Sequence, residues 1–314
     1  MSKSGDKEQV FCLALNTIGF NYYKNYVFPV SVTEDLGVLQ EAEGHDYYKI
    51  LHINTGLCRF DLNEKEYVII GAHMVLLNEK DRIRFSELSD VSAKLIMFKP
   101  WIVNAAFNTN IINEPDHGLR GPTAQDMFYL EQFKHNTPIN RKIMPLSPSD
   151  SAVMGNKINR LHHLLTMQDT ISWPCLSRSY LYEILFALIR DIDSLDDNVA
   201  LENYSGYSKL TIDTIYYLQS RYSHKITIDR LAEELHTNRT TLQTDFKKHT
   251  GLSINQYLMQ IRMNMAAKLI RDTGLSLKEI TERIGFNDTG YFSRVFKQKF
   301  NQTPSEYMRV HRHR

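Results

Sequence analysis

Cysteine is scarce: Cys12, Cys58 and Cys175 are the only three in 314 residues, and they are widely scattered. An odd, dispersed set excludes a disulfide framework and a paired-cysteine zinc knuckle. No uninterrupted apolar run approaches the roughly 18 residues that cross a bilayer, so no membrane partner is expected. The opening stretch MSKSGDKEQVFCLALN lacks a signal-peptide hydrophobic core of adequate length. There is no Gly-rich phosphate loop and no Ser/His/Asp order of the hydrolase kinds. These absences point to a cytoplasmic protein with no assigned catalytic residue, metal or cofactor.

What is present is ordinary in bulk and uneven in detail. A 42% hydrophobic and 23% charged composition is that of soluble globular protein, and 314 residues suffice for two cores. The net charge of +1 conceals an asymmetry. Residues 1–204 carry 19 Lys and Arg against 26 Asp and Glu, whereas residues 205–314 carry 18 against 10. The first part is therefore at −7 and the second at +8, which predicts a polyanionic partner for the C-terminal third.

The runs YYKILHIN, EYVIIGAHMVLL and SAKLIMF are rich in β-formers. Turn signals at Thr55-Gly56, Asn63-Glu64 and Gly71 divide them, predicting short strands in a sandwich or small barrel within residues 1–150. Residues 151–193 carry two helical patterns. The denser apolar stripe, Leu181, Ile184, Leu185 and Leu188, is expected to contribute to a homodimer, the alternative being an intramolecular face packed on the barrel. Trp101 and Trp173 are expected to anchor a core or an interface. Residues 194–207, SLDDNVALENYSGY, read as a polar linker. Everything from 208 to 314 reads as helix, so the fold class is α+β with two domains.

A repeat organises the helical third. DFKKHTGLSINQYL at 245–258 returns as VFKQKFNQTPSEYM at 295–308. Upstream, Ile228, Leu231 and Leu235 match Leu277, Ile280 and Ile284 at an offset of 49. One extra residue in the second turn then moves the offset to 50, pairing Leu242 and Phe246 with Phe292 and Phe296. Each unit reads as helix, short turn, helix. Ser253 with Gln256, Ser276 with Glu279, and Thr303 with Glu306 form capping-box patterns, and Pro304 suits a first helical position. Residues 254–273 lack Gly and Pro and read as one connecting helix of about 30 Å. That length is near the roughly 34 Å repeat of B-DNA, so two recognition helices could enter successive major grooves.

The polar stripes opposite the apolar pairs carry the candidate chemistry. Thr240, Gln243, Thr244 and Lys247 occupy one, and Gly290, Ser293, Arg294 and Lys297 the equivalent one. Small polar residues approach base edges, Gln suits adenine, Arg suits guanine, and lysines meet phosphates. The phosphate-facing set is Arg239, Lys247, Lys248, Lys297, Lys299 and Arg309.

The stretch from about Leu210 to Arg309 resembles the DNA-binding domain of AraC/XylS-type bacterial transcription regulators. The resemblance rests on LAEEL, LQTDFKKHTGLSINQYL, RMNMAAKLI and IGFNDTGYFSRVFKQKFNQTPSEYM, and covers about a third of the chain. It implies base-facing roles for Thr240, Gln243, Thr244, Thr289, Gly290 and Arg294, and RNA polymerase as a partner. Three positions depart from the family pattern: Thr281 for an alanine, Asn301 for a glycine, and Met308 for an arginine.

The resemblance also implies a cupin-like N-terminal barrel that senses an effector. The cupin metal spacing H-x-H-x3-E-x6-G falls on Glu43, His45, Lys49 and Gly56, so a lysine stands where the metal-binding glutamate would be. A protonated lysine does not ligate metal. His45, Lys49 and Arg82 are instead candidates to hold an anionic or polyhydroxylated small molecule. The alternative is that Lys49 reaches outward and apolar side chains fill the barrel. The function expected is a promoter-binding transcription regulator, an activator gated by a signal at the N-terminal domain. A cupin-type enzyme with a DNA-binding appendage is the second reading.

Overall fold

The computed structural model describes residues 15–114, 118–193 and 203–311. Cys12 and residues 194–202 of the expected linker lie outside them. The chain divides into two compact units, up to Ser205 and from Gly206.

In the N-terminal unit a two-stranded ribbon pairs β1 (Thr17–Ile18) with β2 (Val27–Phe28). The main sheet contains β3 (Val30–Thr33), β4 (Tyr48–Leu62), β5 (Lys65–Ile70), β6 (His73–Leu77), β7 (Ile83–Phe98) and β8 (Ile143–Pro145). Its order is β3-β7-β4-β6-β8, antiparallel throughout, with β5 also paired to β4. Short helices α1 (Val38–Glu41), α2 (Thr109–Asn113), α3 (Pro122–Asp126) and α4 (Ile139–Lys142) occupy the connections. Two long helices, α5 (Pro148–Met167) and α6 (Trp173–Asp193), follow β8.

The expected short strands are corrected at β4 and β7, which run for 15 and 16 residues. Thr55-Gly56 is no strand-ending turn. The β4–β7 register shifts between Ile53 and Leu57, and Gly56 sits there at φ +107°. A Cβ on Gly56 would lie 2.6 Å from Val91 Cα, so the bulge needs glycine to let the strands close. The pairing among described residues is an open path rather than a closed ring, so the unit is a β-sheet with helices in which no closed barrel is formed among those residues.

Both faces are buried around Tyr48–Ile53, His73–Leu77 and Leu95–Phe98, which is why those stretches read as continuous apolar runs, whereas β7 from Ile83 to Val91 alternates and exposes Arg84, Ser86, Leu88 and Asp90. Tyr48, Ile50, Leu76, Ile96 and Phe98 pack with Ile158 and Leu161 of α5. Leu51, Phe60, Ile69, Leu77 and Met97 form the other cluster. The stripe assigned to a homodimer belongs to the first cluster: Leu181, Ile184, Leu185 and Leu188 are buried within their own unit. Trp173 is buried edge-on against Phe28 at 5.3 Å, whereas Trp101 is exposed. Two residues near the end of the expected linker are bonded to the sheet. Val68 N–H donates to Asn203 Oδ1 at 3.0 Å and Tyr204 N–H to Val68 O at 3.1 Å, fastening these residues to β5.

The C-terminal unit is helical: α7 (Lys209–Arg221), α8 (Ile228–Glu234), α9 (Arg239–Thr250), α10 (Ile254–Asp272), α11 (Leu277–Arg283), α12 (Thr289–Phe300) and α13 (Pro304–His311). All three capping boxes form; Thr303 N–H, for example, donates to Glu306 Oε2 at 2.7 Å while Glu306 N–H donates to Thr303 Oγ1 at 3.2 Å. Helix α10 is the connector, and its Met263, Ala266 and Ile270 pack with Ile280, Ile284, Phe292 and Phe296.

Candidate nucleic-acid interface

Each helix-turn-helix unit is built by the same local chemistry. In the first, Thr227 caps α8 and Asn238 Oδ1 accepts from Thr241 N–H at 2.9 Å to start α9. In the second, Ser276 caps α11 and Asp288 accepts from Tyr291 N–H to start α12. Each turn passes through one left-handed residue, His236 at φ 51° and Gly285 at φ 77°. The added residue of the second copy falls between that position and the cap, since His236 is two residues before Asn238 and Gly285 three before Asp288. Both recognition helices end left-handed, at Gly251 and at Asn301. Asn301 therefore does the work of the glycine it replaces. Thr281, which stands for an alanine, is buried, and its hydroxyl donates to Leu277 O at 2.6 Å within its own helix. Met308 packs against the C-terminal core.

Burying Leu242 and Phe246 on α9 turns Thr240, Gln243, Thr244, Lys247 and Lys248 into solvent. Burying Phe292 and Phe296 does the same for Gly290, Arg294 and Lys297 on α12, while Thr289 and Ser293 are half-buried. Arg294 lies over the Tyr291 ring at 5.8 Å. Two of the cations assigned to phosphates are engaged within the protein. Lys299 donates to Asn264 Oδ1 at 2.6 Å, because it stands about 140° around the helix from Arg294. Partial burial lowers its ammonium pKa. Arg239 pairs with Asp229 at 3.2 Å, with both side chains exposed. Arg309 is exposed on α13.

The three residues assigned to an effector are not brought onto one surface. Lys49 alternates inward with Leu51 and Ile53, is 1% exposed, and donates to Asn78 O at 3.2 Å. His45 and Arg82 face solvent. Arg82 lines a polar cleft of about 370 Å³ with Asp61, Asn63, Glu64, Lys80 and Arg84. Nearby, Glu43 bonds Arg84, which with lesser help from Arg82 and Lys49 holds its carboxyl below the usual range. Strand alternation places Lys49 beside Leu51 and Ile53, in a stretch of β4 that is buried on both faces. Among the described residues no cluster of three or more His, Cys, Asp or Glu is arranged to hold a metal. No helix there is long and apolar enough to cross a membrane.

Residues 231–310 match the family model of a helix-turn-helix domain. The chain is 23% identical over 263 residues to the transcriptional activator RhaS of Salmonella paratyphi A, spanning 83% of this chain and 85% of that one. It is 31% identical over 128 residues to the Msm operon regulatory protein of Streptococcus mutans, spanning 40% and 45%. The chain carries an AraC-type helix-turn-helix domain. It is a DNA-binding transcription regulator, and the relatives are regulators rather than enzymes, which sets aside the reading as a cupin-type enzyme. Among solved structures, the C-terminal domain of the response regulator AraT from Geobacillus stearothermophilus is 33% identical. It covers 34% of this chain and 88% of that one, with a TM-score of 0.33. In this AraC-type domain Arg262, at the middle of α10, escaped the sequence reading. An arginine within a largely apolar connector was the available signal.

Proposed function

We propose that this regulator reads two successive major grooves, with α9 in one and α12 in the next. The carrying observation is that the two exposed stripes occupy equivalent positions on two repeated units joined by one helix. Nineteen residues give α10 a length of about 28 Å, near the roughly 34 Å groove repeat. Thr240, Gln243, Thr244, Thr289, Gly290 and Arg294 then face bases. Lys247, Lys248, Lys297 and Arg309 face phosphates, and Arg239 and Lys299 join them only by leaving their present partners. Footprinting of the full chain on a duplex it selects from a random library tests this. Two protected major-groove segments about one turn apart are expected; a single segment overturns the reading.

Activation in concert with RNA polymerase completes the proposal, in keeping with the name of the relative RhaS. The signal enters through the N-terminal unit, and the polar cleft around Arg82 supplies donors and acceptors for a polyhydroxylated or anionic effector. What supports coupling is the fastening of Asn203 and Tyr204 to β5, with only Ser205, Gly206 and Tyr207 before the Ser208 cap of α7. A linker that short transmits a change at β5 where a long one would absorb it. Tyr204→Ala in the full chain should change the effect of the N-terminal unit on DNA affinity, and unchanged affinity and transcription would count against coupling. The working unit is proposed as a homodimer, and a monomer at tens of micromolar in sedimentation would discard that part.

A further inference from the structure

Two backbone segments, one leading into the first helix-turn-helix unit and one within the second, meet at a single side chain of the connecting helix. The first is Tyr222–His224, which leads from α7 into the first unit. Arg262 Nε donates to Tyr222 O at 2.8 Å and Arg262 Nη2 donates to His224 O at 2.8 Å. The second is Gly285–Phe286, the turn of the second unit. The Arg262 guanidinium lies over the Phe286 ring at 5.7 Å. At Gly285 the approach is tighter still: an added Cβ would stand 2.5 Å from Ser223 O and 3.0 Å from Arg262 Nη2. The turn of one unit therefore touches the entry loop of the other directly, with Arg262 tying both to α10. A cleft of about 880 Å³ opens beside this junction, with Ser223, Lys225, Lys278 and Thr289 among its lining.

We propose that Arg262 is a positioning residue that sets the spacing between the two recognition helices. It thereby makes the protein selective for the distance between the two half-sites. The inference rests on the two-groove reading and deepens it. A planar, forked donor suits this role because it satisfies two carbonyls in fixed directions while stacking on a ring. The second unit is held to α10 by apolar packing around Met263, Ala266 and Ile270. Apolar packing resists separation better than sliding or rotation, because it has little directionality. The two directed bonds and the backbone contact at Gly285 supply the missing constraint. Partial burial lowers the guanidinium pKa, as expected of a group withdrawn from water.

Spacing selectivity is the readout, because a loss of stability alone would not change it. The probe is the duplex that the wild-type full chain selects from a random library, remade with one base pair inserted or deleted between its half-sites. One base pair displaces a half-site by about 3.4 Å and rotates it by about 34°. Wild type should bind the altered duplexes at least about tenfold more weakly than the selected one, a penalty of about 1.4 kcal/mol. Arg262→Ala should bind the selected duplex more weakly and discriminate among the three by less than about threefold. Arg262→Lys keeps the charge without the fork and should fall between. It carries the test if the alanine variant does not fold, as judged by circular dichroism. A folded variant at position 262 that keeps the full wild-type spacing penalty overturns the proposal. A wild-type protein indifferent to spacing, or protecting one groove only, would instead overturn the two-groove reading beneath it.

Discussion

In the N-terminal unit Lys49, Asp81 and Lys142 are withdrawn from water, and His52 is buried with Nε2 2.9 Å from Ser151 Oγ. In the C-terminal unit Gln243, Lys247, Arg294 and Lys297 stand in solvent above short rows of buried Leu and Phe. The same residue types thus carry different physics in the two units. Where polar groups are buried they act on stability and on the uniqueness of the fold. Where they are exposed they cost little to keep and remain available to a ligand. A substitution of a charged residue should be felt in unfolding for the first unit and in DNA binding for the second. Both tryptophans precede residue 205, so their fluorescence reports the N-terminal unit alone.

The largest expected effect is at the buried pair. Lys142 Nζ donates to both Asp81 oxygens, at 2.8 and 2.7 Å, and Asn63 and Asn78 complete the carboxylate's partners. Lys142→Ala would remove the cation hydrogen-bonded to Asp81 and leave that buried carboxylate with only Asn63 and Asn78 among these partners. A loss of about 3–5 kcal/mol is expected from such a deletion. Urea unfolding followed by tryptophan fluorescence measures it, and a loss below about 1 kcal/mol would show that the site is wetter than its burial implies.

Lys49 should behave in the opposite sense. Burial pushes its ammonium pKa down to about 8, against the opposing pull of Asp81, Glu79 and Glu43. The folded chain therefore releases this proton more readily than the unfolded one. Between about pH 8 and the ordinary lysine value near 10.4 the unfolded chain holds more protons, so stability rises with pH in that window. Below about 8 the burial cost is fully present. Lys49→Met should raise stability at pH 7 by about 1–3 kcal/mol and flatten the rise above pH 8. Destabilisation at both pH values would mean that the bond to Asn78 O outweighs desolvation.

In the C-terminal unit the same scale of change should appear on DNA. Arg294→Ala is expected to cost about 1–3 kcal/mol of binding and to relax preference at one base pair. Gln243→Ala should do likewise about one helical turn away. Thermal unfolding of either variant should match wild type, since both side chains are exposed. Equal weakening on selected and scrambled duplexes would reduce Arg294 to a phosphate contact. Loss at the same base pair for both variants would contradict reading by two separate helices.

The difference between the units also explains what could be read from the sequence. The helix-turn-helix pair was legible because its determinants are local and repeated: caps three residues from their partners, and apolar residues four apart. Its surface could be deduced by subtracting the buried stripe. The engagement of Lys299 by Asn264 was not legible, because the two are 35 positions apart and no local pattern pairs them. The N-terminal site was not legible in the same way. Asp81 and Lys142 are 61 positions apart, and no local pattern pairs them. Lys49 alternates regularly in β4, but both faces are buried from Tyr48 to Ile53, so alternation alone does not say which face it enters. Gly56 was read as a turn because glycine in a strand and glycine ending one look alike until the partner strand is known.

The smallest expected effect tests how far the two copies are equivalent. His236 and Gly285 hold corresponding left-handed positions in the two turns, at φ 51° and 77°. The second must be glycine, since a Cβ there would collide with Ser223 O. The first carries a side chain and is exposed, so nothing but backbone strain distinguishes histidine from glycine at that point. A left-handed residue with a Cβ costs roughly 1–2 kcal/mol, less for a residue type tolerant of that region. Glycine removes the strain but adds freedom to the unfolded chain, returning up to about 1 kcal/mol of the gain. His236→Gly should therefore stabilise the C-terminal unit by less than about 1 kcal/mol, read from hydrogen exchange of amides in α8 and α9. Gly285→Ala should destabilise by more than His236→Gly stabilises, because steric conflict is added to strain. If the two substitutions changed stability by similar amounts, the close approach at Gly285 would be relieved by a small shift. The contact between the two units would then constrain them less than the undistorted geometry implies.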